Sequence, residues 1–339
     1  FLWAWIYATW FTPVVFPDSV GLTVSNDVSW LVSAATVALT LFVSPLALRD
    51  REASTMPFLV KGAGPLTSLG AVMMASHPLF GADLPLLPIA GALLTGVASG
   101  WLWMLWGEFT GKVDQEVSEL FVPLCVAVPL VTMFISSFVS GPVAGLAVCF
   151  LPLVSGFLLQ LSLGDASVLE PVSLLPADER PKLFGDFMRV GLASLAVYAC
   201  VGFAWGMMDY GSMTGWGDTH LVPYVLGALL AIAAVVFSIT YASTLDLFGL
   251  YRWLVPVILA GLIFLSVESF WTRFLSLLLI TVGQYGFDVV VWVYFSRLVR
   301  KGVCPGSLAA GVNRGFVQVG VLIGSLVALA APRLAASWG

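Results

Sequence analysis

The chain has 339 residues, 60% of them hydrophobic and 10% charged, with a mean hydropathy of +1.01. A soluble domain is about a quarter charged; charges this sparse cannot clothe a globular surface, so most side chains must face lipid or each other. The net charge of -5 is thinly spread and excludes a nucleic-acid surface on this segment.

Apolar runs of about 20 residues, bounded by charge or by Pro and Gly, mark membrane-crossing helices. They fall at about 1–16 (span 1), 28–48 (span 2), 57–79 (span 3), 85–107 (span 4), 119–139 (span 5) and 141–162 (span 6). A polar linker, 163–186, gathers Asp165, Glu170, Asp178, Glu179, Arg180, Lys182 and Asp186. Five further spans follow at about 187–208, 221–243, 248–267, 271–298 and 305–331, spans 7 to 11. The runs are too long and too evenly apolar for barrel strands. The class is therefore all-α and polytopic. The chain opens on Phe1 inside an apolar run and stops after Gly339, so it reads as a fragment. Cys125, Cys149, Cys200 and Cys304 sit in apolar stretches without a CxxC pattern, as small packed hydrophobes.

Lys and Arg gather on the cytoplasmic side of a membrane protein. With the N-terminus cytoplasmic, the loops after spans 2, 4, 6, 8 and 10 and their flanks hold nearly all of the 14 basic residues. Only Arg273 and Arg333 fall on the opposite side, and Arg314 lies inside span 11. The expected setting is a bacterial cytoplasmic membrane crossed many times.

The linker separates six spans from five, and the two sets echo each other. Span 2 ends in Leu48-Arg-Asp50-Arg51, and span 8 in Leu245-Asp246-Leu-Phe-Gly249-Leu-Tyr-Arg252. Span 4 ends in Trp101-Leu-Trp103-Met-Leu-Trp106-Gly-Glu108, and span 10 in Val291-Trp292-Val-Tyr294-Phe-Ser-Arg297. Parallel six-helix repeats joined by a cytoplasmic linker resemble the major facilitator superfamily, with bundles at 1–162 and 187–339. A twelfth span beyond residue 339 would complete the second bundle. Transporters of that superfamily often carry Gly-x-x-x-Asp-Arg-x-Gly-Arg after their second helix. Here Asp50-Arg51 are present, but Leu46 stands for the first Gly, and Ala53 and Ser54 for the Gly-Arg.

Phe1-Leu-Trp-Ala-Trp5-Ile-Tyr7 through Phe11-Thr-Pro13 and Phe16-Pro17, together with Gly311-Val-Asn-Arg314-Gly315-Phe-Val-Gln318, resemble membrane-bound LuxR-type transcriptional regulators of gut actinobacteria. That resemblance implies a sensor that binds a small, aromatic organic molecule. It would act on DNA only through a C-terminal helix-turn-helix domain absent from this chain. A secondary transporter of a small organic solute is the alternative, and Asp288 would then be its first candidate proton carrier.

Of the 13 Trp, Trp3, Trp5, Trp10, Trp101, Trp103, Trp106, Trp205, Trp271 and Trp292 lie on spans 1, 4, 7 and 10. In the resembled fold these spans line the central cavity. Trp3, Trp106, Trp271 and Tyr294 lie near span ends, where an interfacial belt collects such residues. Tyr7, Trp103, Tyr198, Trp205 and Tyr285 sit deeper and are candidate cavity walls for a flat ligand. Asp288 and Arg314 are charges inside spans 10 and 11. They either pair structurally or bind ligand, and Gln284, Asn313 and Gln318 extend the polar patch. Glu108 and Lys112, one turn apart, read as a solvated ion pair. Gly107-x-x-x-Gly111-Lys112 follows no strand and is one residue short of a P-loop. Gly96/Gly100, Gly311/Gly315 and Gly320/Gly324 read as close-packing pairs. His77 and His220 stand without clustered ligands, so neither metal nor cofactor is expected. No nucleophile–base–acid set appears, and an enzyme is not expected.

Overall fold

The computed structural model describes residues 23–48, 51–81, 84, 86–114, 117, 125, 128, 142–164, 169, 172–176, 181–207, 247–267 and 269–338. Spans 1 and 8, and span 5 apart from Cys125 and Val128, lie outside the described residues. The described elements are α1 (Thr23–Leu48), a 3-10 turn (Ala53–Thr55), α2 (Pro57–Met74), α3 (Ser76–Phe80), α4 (Leu86–Lys112), α5 (Pro142–Gly164), α6 (Pro181–Met207), α7 (Leu247–Leu265), α8 (Phe270–Arg300) and α9 (Gly306–Trp338). Of these, α1, α4, α5, α6, α8 and α9 are long and apolar enough to cross a membrane. The described fold is all-α and polytopic.

Three boundaries differ from the sequence expectation for identifiable reasons. Span 3 breaks at Ala75 into α2 and α3. Pro78 has no N–H to offer the Met74 carbonyl, which weakens the helix at this point. Helix α4 continues to Lys112 instead of stopping near 107. Helix α6 starts at Pro181, inside the stretch expected to be linker. Proline suits a first helical position because its missing N–H would be unbonded there anyway.

Buried apolar residues form two clusters. One draws on α1, α2, α4 and α5, with Leu41, Leu102, Met104, Leu105 and Leu159 at its centre, and takes in Trp292 and Val293 of α8. The other draws on α6 to α9, with Val201, Ile280 and Phe287 fully enclosed. Large apolar side chains such as Leu46, Phe58 and Ile263 point outward, as lipid-facing residues should. Lipid tails are as apolar as Leu, so helices associate there through close packing. Gly96 and Gly100 of α4 admit Thr36 and Thr40 of α1, and Gly320 and Gly324 of α9 admit the α6 backbone at Leu195 and Ala199.

The turn between α8 and α9 needs glycine. Gly302 has φ +69. Its N–H donates to Val299 O at 2.8 Å, and the Val303 N–H to Leu298 O at 3.1 Å, which closes the end of α8. The Gly302 carbonyl then accepts from Leu175 N at 2.8 Å, tying segment 172–176 to this turn.

Candidate functional site at the junction of α4, α8 and α9

Residues four and seven apart share one face of a helix. On α4 that face carries Trp103, Gly107 and Thr110; on α8, Asp288, Trp292 and Val299; on α9, Gly306 and Ala310, with Arg314 one turn on. The three faces meet. A Cβ built on Gly107 would overlap the Cβ of Ala310. One on Gly111 would lie 2.5 Å from Val299 Cγ1, and one on Gly306 2.8 Å from Glu108 Cα. Trp292 Nε1 donates across the seam to Thr110 Oγ1 at 3.1 Å, and Thr110 in turn donates to the Gly107 carbonyl at 3.1 Å. Between Gly107, Thr110, Trp292, Ser296, Ala309 and Asn313 lies a void of about 10 Å3, the scale of a single water.

The same end is closed on two further lines. Helix α1 meets α9 where Gly311 faces the Leu41 carbonyl and Pro45, and where Phe42 lies edge-on to Phe316 at 5.4 Å. Pro45 has no N–H to offer Leu41, so that carbonyl is left for the neighbouring helix. Arg300 Nη2 donates to the Val113 carbonyl. These contacts between the N-terminal and C-terminal helices all lie toward the end that carries Lys112 and Arg300.

A buried cation occupies the centre of the junction. Arg314 Nη1 donates to Asp288 Oδ1 at 3.0 Å, with both side chains almost fully enclosed. The guanidinium carbon lies 4.6 Å from the centroid of Trp103 and 4.7 Å from that of Trp292. The two indoles are 5.9 Å apart and tilted by 58°. An indole face is electron-rich and attracts a cation, the more so when water is excluded. Asp288, Trp292 and Arg314 belong to α8 and α9, whereas Trp103 belongs to α4.

Of the sequence-predicted site residues, the fold brings Trp103, Asp288 and Arg314 together. Tyr198 instead packs in the C-terminal core, 6.2 Å from the Phe287 ring. Tyr285 belongs to that core as well. Trp205 lies on α6 with its side chain outside the described residues, as is all of Tyr7. Trp271 is 72% exposed near one end of α8, as a belt residue would be. Trp106 departs from the belt expectation: it is half-buried and donates to Ser155 Oγ at 3.0 Å.

Glu108 and Lys112 do not form the solvated pair expected from their spacing. Glu108 is 1% exposed. Its Oε1 accepts from Ala53 N at 2.6 Å and its Oε2 from Ser54 N at 2.8 Å. It thus caps the 3-10 turn, whose first N–H groups have no partner within the turn. Lys112 Nζ pairs with Glu52 Oε2 at 2.6 Å instead. Sequence reasoning missed Trp292 and Thr110 as partners of the site; their signal was the four-residue step from Asp288 to Trp292 and the seven-residue step from Trp103 to Thr110.

The helical architecture and the closed junction define a polytopic membrane protein of transporter-like fold. Solved structures place it more narrowly. The chain is similar to a bacterial homologue of the iron transporter ferroportin in an outward-facing state, at 16% identity and a TM-score of 0.64, over 98% of this chain and 88% of that one. It is also similar to the human organic anion transporter MFSD10 (TETRAN), at 15% identity and a TM-score of 0.54, over 88% of this chain and 76% of that one. At these identities the likeness establishes the fold. No protein-family model and no curated protein matches the chain.

Proposed function

We propose that this chain is the membrane part of a secondary transporter that moves a small organic solute between two bundles, 1–162 and 187–339. The supporting observation is a tightly packed seam between the two helix groups at one end of the described helices. The described contacts between the two helix groups lie toward the end bearing Lys112 and Arg300, where glycines let backbones touch. A seam of small residues held by a few hydrogen bonds can part as a unit, which is what alternating access requires. The positive-inside bias supports a cytoplasmic setting for this end, and a transporter closed there would open to the outside.

A sensor for a small organic molecule is the second reading, and the loop after α1 favours it. Ser54 stands where transporters often carry Arg, and the Glu108 carboxylate grips the backbone of Ala53 and Ser54 instead. A fixed loop suits a protein that shifts between states without rapid cycling. Proteoliposomes separate the two. A panel of radiolabelled aromatic anions, cations and neutral solutes is offered, with empty liposomes as control. Uptake of at least one solute above the control supports transport. Binding without uptake of any solute supports the sensor and contradicts the transporter.

A further inference from the structure

The surroundings of Arg314 consist of groups that recognise positive charge. Trp103 and Trp292 turn electron-rich faces to within 4.7 Å of the guanidinium carbon, and Asp288 supplies the counter-charge at 3.0 Å. An anion approaching Arg314 would meet two indole faces that repel it and a carboxylate that competes with it. A flat cation in the same place would meet three favourable partners. The three fixed groups have short or rigid side chains, while Arg314 reaches in on a long flexible stem. If one member leaves, it is Arg314.

The halves also differ in what they contribute. Parting of the seam carries Trp103 away with α4 and leaves Asp288 and Trp292 on α8. The guanidinium then loses one of its two aromatic faces. A planar cation taking the guanidinium's place against Trp292 and Asp288 would gain the favourable partners that Arg314 gives up.

We propose that Trp103, Trp292 and Asp288 form a binding site for a flat organic cation, and that the Arg314 guanidinium is its resident occupant in the closed state. Arg314 is then a tethered competitor, not a ligand-binding residue. The proposal names the substrate class of the transporter described above and rests on that reading only for delivery of the cation through the membrane.

The test uses two bicyclic probes of similar shape and opposite charge, 1-methylquinolinium and 2-naphthoate, with binding to purified protein measured by calorimetry. Parent protein should bind the quinolinium and not the naphthoate. Removing a competitor raises apparent affinity by the inverse of the fraction of sites it left free, so with about nine sites in ten filled Arg314→Ala should bind the quinolinium about tenfold more tightly or better. Asp288→Asn and Trp292→Leu should weaken it by about tenfold each. Arg314→Gln keeps a donor for Asp288 and serves if Arg314→Ala does not fold; the Asp288 and Trp292 variants decide the matter if neither does. Naphthoate binding that Arg314→Ala abolishes would overturn the proposal in favour of an anion site, and absence of quinolinium binding throughout would overturn it outright. Quinolinium binding in this pattern without uptake of any solute in proteoliposomes leaves the cation site standing and removes the transporter. Uptake of other solutes without quinolinium binding does the reverse.

Discussion

Arg314 and Asp288 are buried ions whose cost is met by each other and, for Arg314, by two indole faces. Removing one partner leaves a bare charge in a low-dielectric interior, which costs about 3–5 kcal/mol. Asp288→Ala and Arg314→Ala should therefore each lower the melting point of the detergent-solubilised protein, and the double variant should melt above the lower single. Strict additivity would mean that the two act independently. Glu108 is a different case. Glu108→Ala leaves the Ala53 and Ser54 N–H groups without their acceptor, and about 1–3 kcal/mol should be lost. Glu108→Gln, which keeps one acceptor oxygen, should lose less, as read by the same melts. The ion pair was legible because depth within a span singles out any charge. The role of Glu108 was not, because helical spacing points to Lys112 whereas the acceptor role depends on a 3-10 turn 55 residues away in sequence.

Helices were legible wherever an apolar run is longer than lipid thickness demands, and all spans that fall on described residues are helical. Their ends were less so. Charge marked 163–186 as linker, yet α6 begins at Pro181, whose fixed φ and missing N–H suit a first helical position. The glycine pairs Gly96/Gly100 and Gly320/Gly324 pack as their spacing suggests. Gly107 and Gly111 also pack closely, but across the seam. There a single methyl tests the mechanism. Gly107→Ala would overlap Ala310 only when the seam is closed. Overpacking costs about 1–3 kcal/mol, which shifts the closed-to-open ratio by about five- to a hundred-and-fortyfold. Gly62→Ala is the control, since a Cβ there meets nothing nearer than Leu66 at 3.6 Å on its own helix. Cysteine at Thr110 should react faster with a cytoplasmic-side maleimide in the Gly107→Ala background than in the parent. Equal rates would show that the methyl is accommodated without opening.

At the scale of the whole molecule, topology and motion are separable. Orientation rests on the basic loops. In a background without Cys125, Cys149, Cys200 and Cys304, cysteines at Arg51 and Lys301 should be protected from an impermeant outside reagent, and those at Leu84 and Ser269 should react. Reversal at either pair would invert the proposed membrane orientation. The echo of Leu48–Arg51 in Leu245–Arg252 and the linker suggest the proposed two-bundle plan, because repeats leave a trace in charge and aromatic placement. Which end is closed was not readable, since closure depends on which small residues of distant helices face each other. The most direct measurement is the distance across the closed end. Spin labels at Arg51 and Lys301, read by pulsed dipolar spectroscopy, should give a dominant short distance in the parent and a dominant longer one in Gly107→Ala. Identical distance distributions in the two proteins would contradict a seam that parts.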